Sequence, residues 1–274
     1  MERLAMVSGV ATRYYASKDI GSRPVALLIH GYMESIESWG EMISLLEPHM
    51  GIVAFDLPGH GISETPTGEC SMDYFADLAC ALLDKEGIEK AAVVGHSMGG
   101  YVAASFAVRY PNRCSALVLL NSSPLGDTPE RAEARMREIK IIESGRKELL
   151  TSLNPSRSFA PENVKRMAET IDGLTEQAMM TDDQGIVASL RGMMKRHDYS
   201  AELRKLPIPQ AAIFGTCDTF IPEDARNTIM AATPQMKHLI LSGTGHQSAR
   251  ENPQKVARII SDIIAQDDSP ISGD

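Results

Sequence analysis

Six short, uninterrupted apolar runs, at 25–29, 52–55, 91–94, 116–120, 211–214 and 239–241, limit what this sequence can fold into. Each has strand length, and none shows the polar alternation of a strand with one wet face. Strands buried on both faces belong to a parallel sheet, whose crossover connections lie over it as helices. The intervening segments carry the helical patterns this requires. Met72, Phe75, Leu78, Ala79, Leu82 and Leu83 share one helical face, with Ser71 placed to cap its start and Gly87 to end it. Ser38 and Glu41 have capping-box spacing, and after Asn252-Pro253 the residues Val256, Ile259, Ile260 and Ile263 form a last apolar face. The expected fold class is α/β, a mostly parallel central sheet covered by helices on both faces.

One stretch breaks the rhythm. Residues 124–207 hold charged, Met-rich helical patterns, as at 129–142 and 162–171, and no strand-like run. They are bounded by the turn-rich Ser123-Pro124-Leu125-Gly126 and Leu206-Pro207-Ile208-Pro209. The expected organisation is a core made of residues 1–123 and 208–266, an inserted all-helical cap at 124–207, and a polar flexible tail at 267–274. The Lys and Arg residues of 131–147 read as a solvated helix face.

A chain of 274 residues can bury a large core without disulfides or metal. Its net charge of -9 argues against a phosphate-binding surface, so no nucleic-acid partner is expected. Cys70, Cys80, Cys114 and Cys217 have neither zinc-site spacing nor the density of a disulfide scaffold, and read as free thiols in a reducing compartment. Residues 1–11 lack a basic start followed by an apolar stretch, and no apolar run approaches the ~18 residues of a membrane span. A cytoplasmic monomer or homodimer without membrane contact is the expectation. No metal motif, phosphate loop or dinucleotide fingerprint is found, and no cofactor is expected.

The chemistry concentrates at Gly95-His96-Ser97-Met98-Gly99, which follows the run at 91–94 and precedes a helical stretch reaching Tyr110. A serine on a sharp strand-to-helix turn has its hydroxyl projected at the sheet edge, and flanking glycines leave room for the crowded backbone. Such a hydroxyl is a weak nucleophile until a base takes its proton. Of the seven histidines, only His246 follows the last apolar run in a Gly-rich loop, which makes it the candidate base. Asp218, just past the run at 211–214, is the candidate acid that fixes the imidazole tautomer. Asp56 is a rival acid, expected instead to fix its own turn. His96 is expected to face away from the nucleophile.

Together these segments resemble the α/β-hydrolase superfamily over nearly the whole chain, in a serine carboxylesterase-like branch with a helical cap. His30-Gly31-Tyr32 is similar to the family's oxyanion loop, and the stretch from Asp56 through Gly59, His60 and Gly61 to Ser63 is similar to its turn between core elements. Gly215-Thr216-Cys217-Asp218 and Gly243-Thr244-Gly245-His246 match its acid and histidine segments. The resemblance implies oxyanion donors at the backbone N–H groups of Tyr32 and Met98, with Met33 as an alternative, and structural roles for His30, Gly31, Gly95 and Gly99. At the family's other acid position the chain has Asn121.

Departures narrow the branch. Ser97 differs from the aspartate nucleophile of dehalogenases and epoxide hydrolases, and Tyr101 stands where menaquinone-pathway relatives carry an arginine. Tyr32-Met33-Glu34 after Gly31 lacks the Gly-rich signature of carbon–carbon bond hydrolases. The expected activity is hydrolysis of a small-molecule carboxylic ester or related acyl bond through an acyl-enzyme, the one expected partner being that acyl substrate. Thioesterase, lactonase and aminopeptidase-like amidase activities remain open within the same chemistry, and a small-ligand receptor or scaffold outside it. Met136, Met167, Met179, Met180, Met193 and Met194, with Phe159, can furnish an apolar lining of the cap over Ser97, although some must simply pack the cap's own helices. With no compact Arg cluster beside the catalytic motifs, uncharged small or medium acyl groups are expected to be preferred over polyanionic ones.

Overall fold

All six apolar runs become strands: β3 (Val25–Ile29), β4 (Gly51–Phe55), β5 (Ala91–His96), β6 (Cys114–Leu120), β7 (Gln210–Gly215) and β8 (Lys237–Leu241). They pair in parallel in the order β4-β3-β5-β6-β7-β8. The structure, a computed structural model, describes residues 1–265 apart from Asp19, Ser22 and Glu69. The tail expected at 267–274 lies outside the described residues.

Two further strands extend the sheet where no apolar run announced them. β1 (Glu2–Val7) and β2 (Val10–Ala16) form an antiparallel hairpin, and β2 lies antiparallel on β4. Ser8 and Gly9 both have positive φ, 48° and 83°, as a two-residue hairpin turn requires. β1 is an edge strand, exposed over most of its length, and β2 alternates between buried and half-buried positions, so neither gives a continuous apolar signal.

Alternate residues of the buried strands face opposite layers. Leu27, Ile29, Val93, Leu117 and Phe214 pack with α2 (Met72–Lys85) and α3 (Met98–Arg109). Leu28, Val94, Val118 and Ile213 pack with α1 (Gly40–Leu46) and the C-terminal helix Pro253–Ile264. Ser71 caps α2 through the Tyr74 amide at 3.0 Å, and Gly87 follows its end with φ of 68°. The helix expected to start at Ser38 begins earlier, as the 3-10 turn Ile36–Trp39 leading into α1. There the Asp56 carboxylate accepts from the Ile36 amide at 2.9 Å and Ser35 from that of Glu37 at 3.4 Å, so the first free donors are already met.

Between β6 and β7 the described chain is helical: α4 (Pro129–Glu143), α5 (Glu148–Thr151), α6 (Asn154–Arg157), α7 (Ala168–Met180), α8 (Asp183–Met194) and α9 (Ser200–Leu203). The pattern at 162–171 yields a helix only from Ala168. The Asn163 amide group donates instead to the Gly243 carbonyl at 3.0 Å and to Glu251 at 2.7 Å, holding that segment to the loop after β8. After β7 come α10 (Glu223–Ala232), α11 (Ser248–Glu251) and α12, the C-terminal helix Pro253–Ile264. Among the described residues no helix is long and apolar enough to cross a membrane.

Candidate active site

Ser97 occupies the turn between β5 and α3 with φ 52° and ψ -116°, a conformation that costs a non-glycine residue about 1–3 kcal/mol. The surroundings hold it there. Its N–H donates to the Leu120 carbonyl at 3.0 Å, and its own carbonyl accepts from the Ser122 hydroxyl at 2.6 Å. Glycine is sterically required on either side: a Cβ at Gly95 would overlap the Gly99 carbonyl, and one at Gly99 the carbonyls of Ile29 and His30. The turn therefore forms only where β3, β5 and α3 approach within backbone contact.

The loops after β7 and β8 bring the other candidates to this serine. His246 Nε2 lies 2.9 Å from Ser97 Oγ, and His246 Nδ1 lies 2.8 Å from Asp218 Oδ2. A carboxylate can only accept, so Nδ1 carries the proton and Nε2 is left to accept from the hydroxyl. Asp218 Oδ1 also accepts from the amides of Phe220 and Ile221 at 2.9 and 3.0 Å, and Oδ2 from Asn121 Nδ2 at 3.0 Å. Burial alone would raise this carboxyl. Neighbouring His246 and the hydrogen bonds from His246, Asn121 and Ile221 outweigh it and hold the group at about 2.

Asn121 is thus a positioning residue that the sequence identified only as a missing acid. Its Nδ2 also donates to the Gly245 carbonyl at 3.0 Å, and its Oδ1 accepts from the Ser248 hydroxyl, which fixes the orientation of the amide. Asp56, the rival acid, is fully buried against Arg13 at 2.7 Å and accepts from the amides of Ile36 and Ile62, in its own turn.

Gly31 to Glu34 form a turn in which the Glu34 amide donates to the Gly31 carbonyl at 3.3 Å and Met33 has φ of 57°. Among the described residues neither the Tyr32 nor the Met98 amide has a protein acceptor. His30 braces this loop: its Nε2 accepts from the Leu57 amide at 2.9 Å, so its Nδ1 carries the proton and donates to the Gly31 carbonyl at 2.8 Å. Behind the loop, Glu34 accepts from the Gly31 amide at 3.0 Å and from Gln247 at 2.8 Å. His96 faces away from Ser97, with Nδ1 3.1 Å from Glu34 and Nε2 2.9 Å from the His246 carbonyl. Both its partners are acceptors, so the ring is an imidazolium. Burial disfavours that charge and Glu34 more than restores it; Glu34 in turn is drawn well below the ordinary range by His96, in spite of its burial.

Ser97 and His246 open on a cavity of about 310 Å³ that Tyr32, Met33, Phe220 and Gln247 also line. Its composition narrows one expectation and corrects another. Of the seven candidate lining residues of the cap, Met193 lines the cavity; Met136 and Met180 are exposed, 45% and 85%, and Phe159 packs with Ile171 and Leu174 inside the insertion. Nor is the charged face of α4 simply solvated, since Arg131, Arg135 and Glu138 line the cavity. Their i, i+4, i+7 spacing was the signal that they share a face, but only the position of the insertion shows where it points. Among the described residues no cluster of three or more His, Cys, Asp or Glu is arranged to hold a metal.

Comparison with known proteins gives the fold a context. The profile of the alpha/beta hydrolase fold family matches residues 24–139. A monoacylglycerol lipase, abhd6-B, of Xenopus laevis is 23% identical over 270 residues, covering 92% of this chain and 78% of its own. Among solved structures, a thermophilic esterase from Thermogutta terrifontis superposes with a TM-score of 0.87 at 23% identity, covering 98% of this chain and 100% of its own. The enol-lactonase of Burkholderia xenovorans LB400 gives 0.87 at 21% identity, covering 96% and 100%.

Proposed function

Because the chain has the α/β-hydrolase fold, on which function has to be read from the site, we propose that it is a serine hydrolase cleaving a small-molecule carboxylic ester or related acyl bond. The observation that carries this reading is the unbroken line from Asp218 through His246 to Ser97, with steps of 2.8 and 2.9 Å, opening on a cavity. Lipase, esterase and enol-lactonase relatives support the acyl class of reaction.

In this reading Ser97 Oγ attacks the acyl carbon as His246 Nε2 takes its proton, and Asp218 stabilises the resulting imidazolium. The carbonyl oxygen becomes an oxyanion facing the Tyr32 and Met98 amides, the latter at the start of α3, where the helix dipole also favours negative charge. Collapse breaks the ester bond, and His246 returns the proton to the leaving alcohol. Water then attacks the acyl-serine with His246 again as base, releasing acid and free Ser97. The helical insertion at 124–207 serves as a cap that shapes the acyl pocket and excludes water.

Hydrolysis of p-nitrophenyl acetate and butyrate tests this directly. Wild type is expected to turn both over, and Ser97→Ala to lower kcat by on the order of 10^3-fold or more with the fold intact. A wild type that binds esters without hydrolysing any would overturn the proposal in favour of a receptor of the same fold.

A further inference from the structure

The wall that α4 gives the cavity carries more positive charge than the protein neutralises. Asp127, with a side chain 1% exposed, receives Arg135 Nε at 2.6 Å and Arg196 Nη1 at 2.5 Å, while Arg131 Nε lies 3.9 Å away. One buried carboxylate therefore serves three guanidiniums. The other carboxyl in the group is Glu138, which burial pushes up against the pull of Arg135, the Tyr32 hydroxyl and Arg131. Arg196 is not part of the wall: its guanidinium lies over the Tyr101 ring, 3.9 Å from the centroid. Arg135 and Arg131 do line the cavity that holds Ser97. Tyr101 reports the resulting field. Burial raises its phenol, yet Arg196, Arg135 and Arg131 together bring it below its ordinary value.

Guanidiniums that share one carboxylate are only partly neutralised, and a guanidinium fork matches a carboxylate. Arg135 spends Nε and Nη2 on Asp127, and Arg131 spends Nη1 on the Phe220 carbonyl at 3.0 Å, so each has further donors to offer. The Tyr32 hydroxyl, buried in the same cavity wall, faces Glu138. On the serine-hydrolase reading above, we propose that Arg135 and Arg131 bind a carboxylate carried by the substrate, so that anionic esters are preferred over neutral ones of the same size. This reverses the preference for uncharged acyl groups expected from sequence.

The test compares each anionic ester with its methylated, neutral counterpart: monomethyl adipate against dimethyl adipate for a carboxylate on the acyl side, and 4-acetoxybutanoate against its methyl ester for the alcohol side. At least one anionic member should exceed its neutral partner about tenfold or more in kcat/KM, the effect of a charge-assisted hydrogen bond. That advantage should fall about tenfold in Arg135→Gln, fall in Arg131→Gln, and be partly kept in Arg135→Lys, which retains charge without the fork. Arg131, with its side chain 41% exposed, provides the variant least prone to misfold. Neutral esters equal to or better than both anionic ones in wild type would overturn the subsite while leaving the hydrolase reading intact. If no ester is turned over, calorimetry of adipate binding to Ser97→Ala still decides: binding weakened about tenfold by Arg135→Gln supports the subsite, and binding that is absent or insensitive to both arginines overturns it.

Discussion

Asp218 and Asp56 are both buried aspartates at strand ends, and their partners assign them different work. Asp218 spends one oxygen on His246 and Asn121, while Asp56 is bound to Arg13 and two backbone amides. Asp218→Asn should lower kcat by about 10^2 to 10^4-fold, because an amide at that position favours the wrong imidazole tautomer. Asp56→Asn should leave kcat of the folded protein within a few fold but cost on the order of 1–3 kcal/mol in urea unfolding, by taking its buried carboxylate from Arg13, which keeps Glu37. Reversed effects would mean the acid is misassigned. The Glu34–His96 pair makes a prediction in pH. His96 is raised, so its contribution is complete below the ordinary histidine value of about 6.5 and is lost as pH rises through the folded value. Glu34 is lowered, so its contribution is present above the ordinary value of 4.5 and is lost as pH falls through the folded value. The stability gap between wild type and Glu34→Gln should be widest between those two values and narrow on the alkaline side. A gap constant from about pH 5 to 9 would show that His96 does not carry the charge assigned to it.

Among the elements, the β5–turn–α3 unit is the most constrained, because three backbone segments meet where Gly99 has no side chain. Gly99→Ala places a Cβ on the Ile29 and His30 carbonyls, which cannot move without distorting β3. A loss of about 3 kcal/mol or more in chemical denaturation, together with lost turnover, is expected. A variant as stable and active as wild type would refute the close approach. This unit was legible in the sequence because its requirements are local: an apolar run, a Gly-flanked serine, a helix. The buried strands were legible for the same reason. The β1–β2 hairpin was not, since an exposed edge strand such as Glu2–Val7 presents no apolar run. Glu251 was missed too. It joins Ala160 and Asn163 of the insertion to Gly245 of the histidine loop across about 90 residues of sequence, a pairing only the folded chain defines. Arg131 and Arg135 were misread because an amphipathic charged helix looks the same whether its charged face meets solvent or a cavity.

Across the whole molecule, a sheet that projects Ser97, Asp218 and His246 from three strand ends meets a helical insertion whose residues line the cavity at Ser97 and His246. Leu174, Ala178 and Met193 are among its apolar residues that line the cavity. Enlarging one of them should shorten the acyl chains accepted. Ala178→Phe is expected to lower kcat/KM for a p-nitrophenyl octanoate relative to the acetate by about tenfold, the scale of a few methylenes excluded from an apolar pocket. An unchanged ratio would remove the insertion from substrate selection. Whether Ser97 is the activated nucleophile is decided by treating the protein with a fluorophosphonate and mapping the modified peptide by mass spectrometry. A single phosphonyl adduct on Ser97 is expected, abolished in Ser97→Ala and strongly slowed in His246→Ala. An unmodified Ser97, or an adduct on another serine with Ser97 intact, would contradict it.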